Sequence, residues 1–274
     1  MTTTAQVHQA LQPLLDRNPD VALIGRRLVI RPVHHIMRSI FVDRSSIKVQ
    51  FVPSTSVSLM FLGEGVFRTA MGDRLYRAYI DPKELVRLNN APMPAAEPLD
   101  SANPYAAGKV LVTPDMGHDI GRHNHLLMIA GRWEEGIRTE GVIFDITIPA
   151  SIRVMCDMIE SEVLPMLKAL TSFADFVAFR ASLGHGDWHP YPVGPFDRML
   201  IASAEGNFQA AQELWHSDEE DKTRFMAREP AFYPALMAGD RATIAGMLNR
   251  WEAWAVKEFR LERYWECTPF PLER

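Results

Sequence analysis

The spacing of the apolar residues changes at Pro149, and this change constrains the fold more than any other feature. Before Pro149, short segments alternate apolar and polar residues, most strictly over residues 47–52. After it, apolar residues recur every three or four positions, as over residues 151–170. Alternation is the period of a half-buried strand, and the longer spacing is that of a helix. The sequence therefore predicts an α+β protein, with an antiparallel sheet and flanking helices over residues 1–150 and a helical bundle over residues 151–274.

The first part is predicted to begin with a helix over residues 4–16 and to continue with strands up to residue 80. The connections between these strands are short, which favours antiparallel pairing because parallel pairs need long crossovers. Residues 47–52 and 57–62 read as two separate strands. Met71, Gly72 and Asp73 have the composition of a hairpin turn.

The second part is predicted to be entirely helical. Ser151 suits the cap of a long apolar helix that Pro165 should kink, and Ser172 suits the cap of the next helix. Two later sets of apolar residues each fall on one helical face. These sets are Leu200, Ala204, Phe208, Ala211 and Trp215, and then Ile244, Leu248, Trp251, Ala255 and Phe259.

Charge and composition narrow the class of protein. The net charge is −5, with the basic excess in residues 1–90 and the acidic excess in the remainder. The acidic part is unsuited to binding nucleic acid, because phosphate contacts need clustered Lys and Arg. The N-terminus lacks the features of a signal peptide, and no apolar run reaches membrane-spanning length. We therefore expect a cytoplasmic protein without a membrane partner. The two cysteines form no disulfide framework, and Cys156 is expected to be buried.

A histidine-rich segment at residues 117–125 is the first candidate for chemistry. Alternation along a strand would put His123 and His125 on one face, where both could bind a divalent metal. Gly117 followed by these two histidines resembles the opening of the cupin metal motif. That motif then needs a Glu where this chain has Ile129 and Ala130. The alternative is a turn that carries surface or half-buried histidines.

Two further histidine groups are weaker candidates. His185, Asp187 and His189 alternate in a loop rich in Gly and Pro, which suits either a metal or acid–base site or a loop packed on the helices. His34 and His35 are adjacent, and neighbouring strand residues point to opposite faces. We therefore expect these two histidines not to share one site and to have a structural role.

The acidic run Asp218, Glu219, Glu220 and Asp221 is the candidate partner-binding site. Acidic residues before a helix can interact favourably with its dipole, so a solvated helix start is one interpretation. The other is a docking face for a basic protein surface, because opposite charge accelerates association.

The segment from Phe232 to Trp251 resembles a helix pair of a helical family of bacterial immunity proteins from polymorphic toxin systems. It comprises an apolar helix that ends in Ala-Gly239-Asp240 and a second helix with paired aliphatic residues. The resemblance covers roughly residues 196–265 and implies a non-catalytic binding protein without a cofactor. Such a protein neutralises a secreted toxin by covering its active surface. The alternatives are a metal-dependent enzyme that uses His123 and His125, and a secretion chaperone or adaptor.

Overall fold

Antiparallel sheets and helices make up the described chain, which confirms the predicted α+β class. The structure is a computed structural model that describes residues 3–44, 50–62, 70–74, 78–80, 110–111, 140–141, 144–182, 193–215 and 225–274. The strands are β1 (Val21–Ile24), β2 (Arg27–Ile30), β3 (Ile36–Arg44), β4 (Gln50–Leu59), β5 (Ala70–Arg74), β6 (Ala78–Ile80), β7 (Val110–Leu111), β8 (Glu140–Gly141) and β9 (Phe144–Asp145). The α-helices are α1 (Thr4–Arg17), α2 (Pro149–Met158), α3 (Leu164–Lys168), α4 (Phe173–Ser182), α5 (Pro195–Ala204), α6 (Phe208–Trp215), α7 (Phe232–Ala238) and α8 (Arg241–Glu258). A π-helical segment (Ile159–Val163) joins α2 to α3, and a 3-10 helix (Pro271–Glu273) follows α8.

The larger sheet has the strand order β1-β2-β3-β4-β5, and β9 also pairs with β4. All of its strand pairs are antiparallel, as the short connections predict. The longest pair is β3 with β4, whose register runs from Ile36 opposite Leu59 to Arg44 opposite Phe51. A second sheet, of order β7-β6-β8, is also antiparallel.

Strand β4 runs unbroken through Pro53, where the sequence predicts the gap between two strands. Pro53 lies opposite Val42, whose N–H donates to the carbonyl of Arg26 on the other side of β3. The missing N–H of the proline is therefore not needed between β3 and β4. On its outer side, β4 pairs with β9 before Pro53 and with β5 after it. The proline occupies the changeover between these two neighbours.

The hairpin turn predicted at residues 71–73 is wrong, because these residues lie inside β5. The register between β4 and β5 shifts there, with Ser56 opposite Met71 but Ser54 opposite Arg74. One strand thus has an extra residue, which is a β-bulge. The extra residue lies between Met71 and Arg74, so Gly72 and Asp73 form part of the bulge. A bulge favours the same residue types as a turn.

The long helix predicted after residue 150 is interrupted, as expected, just before Pro165. The π-helical segment Ile159–Val163 widens the backbone at the turn where a proline ring would crowd the preceding carbonyl groups. Ser151 is not the cap, since the helix begins at Pro149 and the cap position is Ile148. A proline suits the first helical position because the N–H it lacks would have no partner there.

The C-terminal helices follow the predicted apolar pattern with one correction. The set from Leu200 to Trp215 is divided between α5 and α6, because Gly206 adopts a positive φ of 77° and ends the first helix. At the next junction Gly239 is left-handed, with φ 64°, and the side chain of Asp240 accepts the N–H of Thr243. Glycine capping and an aspartate N-cap therefore form the Gly239-Asp240 junction, as predicted.

One hydrophobic core cluster extends from α1 and the large sheet into the C-terminal helices. Its fully buried members include Leu14 of α1, Ile40 of β3, Leu167 of α3 and Leu248 of α8. Helix α1 packs against both β1 and α2. The domain boundary near residue 150 stays a prediction. None of the helices described is both long and apolar enough to cross a membrane.

Candidate functional site

The candidate site is built where the segment between β2 and β3 meets the end of the chain. Val33 forms a parallel bridge with Trp265, in which its N–H donates to the carbonyl of Tyr264 and its carbonyl accepts the N–H of Glu266. The C-terminal segment thus lies alongside residues 32–35. This backbone pairing brings side chains more than two hundred residues apart into contact.

His35 is the centre of a polar network at this junction. Its Nδ1 lies 3.1 Å and 3.2 Å from the two carboxylate oxygens of Glu252, which projects from α8. Its Nε2 lies 3.2 Å from the hydroxyl of Thr268. As a carboxylate, Glu252 can only accept hydrogen bonds, so Nδ1 carries the proton between them. In neutral His35 the Nε2 atom then accepts the hydrogen bond from Thr268.

Aromatic rings enclose the imidazole of His35. The ring of Phe270 stacks on it with a centroid distance of 3.9 Å and an interplanar angle of 18°. Phe61 and Phe173 contact it from other directions at 6.4 Å and 6.1 Å. The side chain of Glu252 is only 1% exposed, so its carboxylate depends on hydrogen bonds from within the protein, here from His35. The network therefore fixes the ring orientation of His35 tightly.

A cavity of about 600 Å³ opens beside this network. It lies between the segment preceding β3, the start of α4, the end of α5 and the C-terminal segment. Its volume falls in the range of small-molecule sites, roughly 300–1,000 Å³. The lining combines apolar side chains with His34, His35, Arg38, Glu205 and Arg274.

Arg38 is the half-buried cation of the cavity. Its guanidinium donates to the carbonyls of Lys168 and Leu170 at 3.4 Å and of Pro32 at 3.2 Å. Burial lowers its pKa, and the negative charge of Asp20 partly opposes this effect. Asp20 itself is ion-paired with Lys168 at 2.7 Å. Among the described residues, no carboxylate lies within ion-pair distance of Arg38.

The order of hydroxyl, imidazole and carboxylate in this network is also the order used in nucleophilic catalysis. Such chemistry needs N–H donors that stabilise an oxyanion. The backbone N–H groups of Thr171 and Ser172, which line the same cavity, both donate to the carboxylate of Asp175. They are therefore not available as an oxyanion hole. The network positions His35 and joins α8 to the C-terminal segment.

The two adjacent histidines depart from the prediction that they would not share a site. Residues 34 and 35 lie before β3, with a bend at residue 35, rather than in a strand, and both side chains line the cavity. The Nδ1 atom of His34 lies 3.1 Å from the carbonyl of Glu266, while His35 faces Glu252. Strand alternation does not apply to a bend, which is why both reach one cavity.

The other predicted site residues lie outside the described part of the chain. These are the metal candidates His123 and His125, the loop residues His185, Asp187 and His189, and the acidic run Asp218, Glu219, Glu220 and Asp221. Within the ranges that the structure does describe, no cluster of three or more His, Cys, Asp or Glu side chains could hold a metal ion. The metal site and the acidic docking face stay predictions.

Sequence reasoning missed Glu252, Thr268 and Arg38. Glu252 occupies an ordinary position in a helix rich in charged residues, and Thr268 follows an exposed cysteine. The one hint in the sequence that Glu252 is buried is its position on the apolar face of α8, next to Trp251 and Ala255.

Comparisons with protein-family models, with curated proteins and with solved structures each gave no match.

Proposed function

We propose that this chain is a non-catalytic binding protein that neutralises a bacterial toxin in the cytoplasm by covering its active surface. The proposed docking site is the acidic run from Asp218 to Asp221, and the proposed partner carries a basic surface. The helix pair around Gly239 and Asp240, which resembles immunity proteins, supports the proposal. The observation that carries it is the burial of Trp215 and Phe225, the described residues that flank the acidic run in the sequence.

The residues that flank the acidic run are fixed in an aromatic cluster. Trp215 and Phe225 are both buried, and their ring centroids are 6.4 Å apart. Phe225 also contacts Phe232 at 5.1 Å and Trp251 at 5.5 Å. The cluster therefore joins α6, α7 and α8, and two of its members, Trp215 and Phe225, flank the acidic segment in the sequence.

The acidic run is close to this cluster in the sequence, since Asp218 is the third residue after Trp215 and Asp221 is the fourth residue before Phe225. It brings four carboxylates together in four consecutive positions. Concentrated charge of one sign steers a partner of opposite sign and fixes its orientation.

The direct test is a rescue of growth. The candidate partner is the variable C-terminal domain of a large secreted protein encoded beside this chain. Expression of that domain in the cytoplasm should stop growth, and co-expression of this chain should restore it. Deletion of the gene should be lethal only when the partner domain is present. Growth of the deletion strain while the active partner domain is expressed would contradict the proposal.

A charge variant tests the docking site separately. The variant D218N/E219Q/E220Q/D221N should bind the partner at least roughly tenfold more weakly, mainly through a slower association rate at low salt. A matched control neutralises four exposed carboxylates elsewhere, at Asp157, Glu258, Glu262 and Glu266. The control should bind as the wild type does. Equal binding by both variants would contradict the assignment of the acidic run.

Two alternatives have their own tests. A secretion chaperone would hold the export signal of its cargo rather than a toxic domain, so truncated partners in a pull-down distinguish them. A metal-dependent enzyme that uses His123 and His125 would carry stoichiometric zinc, iron or manganese. Elemental analysis of the purified protein and of the variant His123→Ala measures that directly.

A further inference from the structure

We infer that the cavity beside His35 binds a small organic carboxylate whose charged group contacts Arg38 and whose apolar body fills the cavity. This inference is independent of toxin neutralisation, because it concerns a different part of the molecule and a different class of ligand. It follows from the shape of the cavity, from its apolar walls and from the charge of Arg38.

The walls suit an apolar body. Seven apolar or proline residues line the cavity, which has a volume of about 600 Å³. They are Pro32, Ile36, Leu170, Phe173, Ala174, Pro269 and Pro271. Phe173 is held in place by the ring of Phe61, with centroids 5.4 Å apart. Small-molecule sites combine such walls with a few polar groups that orient the ligand.

Arg38 determines the sign of the ligand charge. Its hydrogen bonds go to neutral carbonyl oxygens, at distances at or beyond the long end of the usual range. A guanidinium has five N–H groups, so these bonds leave donors available for a ligand. The carboxylate that acts electrostatically on it, Asp20, is engaged by Lys168. Among the described residues Arg38 has no carboxylate partner, and a half-buried cation in this situation gains most from an anion.

The remaining polar groups favour a single negative charge. Glu205 and Arg274 are exposed and bring opposite charges to the lining, so they offset each other. The hydroxyl of Thr268 and the imidazole of His34 add hydrogen-bonding groups. A monocarboxylate with an aromatic or aliphatic body therefore matches the cavity better than a dianion or a cation.

The test compares carboxylates with amides of the same shape on the full-length protein. Benzoate and hexanoate are titrated against benzamide and hexanamide, with ligand-observed NMR and isothermal titration calorimetry as readouts. At least one of the carboxylates should bind saturably, and its amide should bind at least roughly tenfold more weakly, because it lacks the charge that Arg38 pairs with.

Three variants locate the binding. R38Q removes the cation and should weaken carboxylate binding by roughly tenfold or more. A174W places a large ring at an exposed position of the lining, leaves Arg38 intact and should have the same effect by filling the space. R153Q removes an exposed arginine outside the lining and should leave binding unchanged.

Four results would overturn the inference. They are the absence of saturable binding by both carboxylates, equal affinity for the amides, unchanged binding by A174W, and unchanged binding by a folded R38Q. If R38Q fails to fold, A174W and the amide series still decide the question. None of these results bears on whether the acidic run binds a toxin.

Discussion

Two junctions in this molecule are formed in opposite ways. The helix junction at Gly239 and Asp240 is local, since a left-handed glycine and an aspartate cap form it within a few residues. The network of His35, Glu252 and Thr268 joins groups that are 217 and 233 positions apart. The first depends on backbone preferences, and the second depends on the whole fold. The local junction could therefore be found from the sequence before the fold was known, and the long-range network could not.

The largest effect is expected at the long-range junction. Glu252→Ala leaves a buried cavity and removes the only carboxylate that contacts the ring of His35 among the described residues. The free energy of unfolding should fall by about 3 kcal/mol, within the range for breaking a buried pair. Urea denaturation measures it. Glu258→Ala, an exposed residue at the end of the same helix, should change it by less than about 0.5 kcal/mol.

The local junction should respond less. Gly239→Ala forces a side chain into a left-handed conformation at φ 64°, which costs about 1–2 kcal/mol. The new Cβ would meet only Phe208 at 3.7 Å, an ordinary contact, so strain in the backbone dominates. Gly246→Ala is the matched control inside α8, where nothing lies within 4 Å of the new Cβ. It should raise stability by about 0.5–1 kcal/mol, because alanine favours the helix. An increase in stability on Gly239→Ala would contradict the left-handed conformation of Gly239 at this junction.

The contribution of Asp240 to the stability of the local junction should depend on pH. Hydrogen bonds from the side chain and the backbone N–H of Thr243 lower the pKa of its carboxyl below 3.8. The stability it contributes is therefore complete above pH 3.8 and disappears as the pH falls through the lowered pKa. Asp240→Ala should lower Tm by roughly 2 °C at pH 7, and the difference should shrink below about pH 4. Asp240→Asn keeps a capping side chain and should lose less at pH 7, and the contribution of its uncharged amide should not itself depend on pH. A constant difference across this pH range would contradict the assignment.

The cysteines provide the mildest test, because they report exposure without altering either junction. Burial raises the pKa of Cys156 to about 11, whereas Cys267 is exposed next to Thr268. A thiol-specific reagent at pH 8 should modify one cysteine in the native protein and both after unfolding. Cys267→Ser should abolish the native reaction, and Cys156→Ser should leave it intact. Native modification of Cys156 would contradict its buried position.

Local signals were sufficient for much of the fold. The first helix, the capping by Ser172, the disturbance before Pro165 and the Gly239-Asp240 junction all follow from residue types at fixed offsets. The unbroken β4 could not be predicted, because whether Pro53 is tolerated depends on which strands flank it. The bulge in β5 uses the same residues as a turn, so composition alone could not distinguish them.

The candidate site was largely beyond prediction for a related physical reason. A histidine, a glutamate and a threonine have no informative spacing when more than two hundred residues separate them. Adjacent His34 and His35 could be noticed, but strand alternation gave the wrong geometry for a bend. The acidic run and the metal candidates each lie within a short stretch of the chain, so the sequence alone reveals them. Their binding of a partner or a metal stays a prediction.

The most direct test of the long-range junction is a double-mutant cycle between His35 and Glu252. The free energies of unfolding of His35→Ala, Glu252→Ala and the double variant are compared with that of the wild type by urea denaturation. Because the two side chains contact each other in a buried setting, the coupling energy should be about 2 kcal/mol. Additivity of the two single changes to within about 0.5 kcal/mol would show that the pair does not hold the candidate site together.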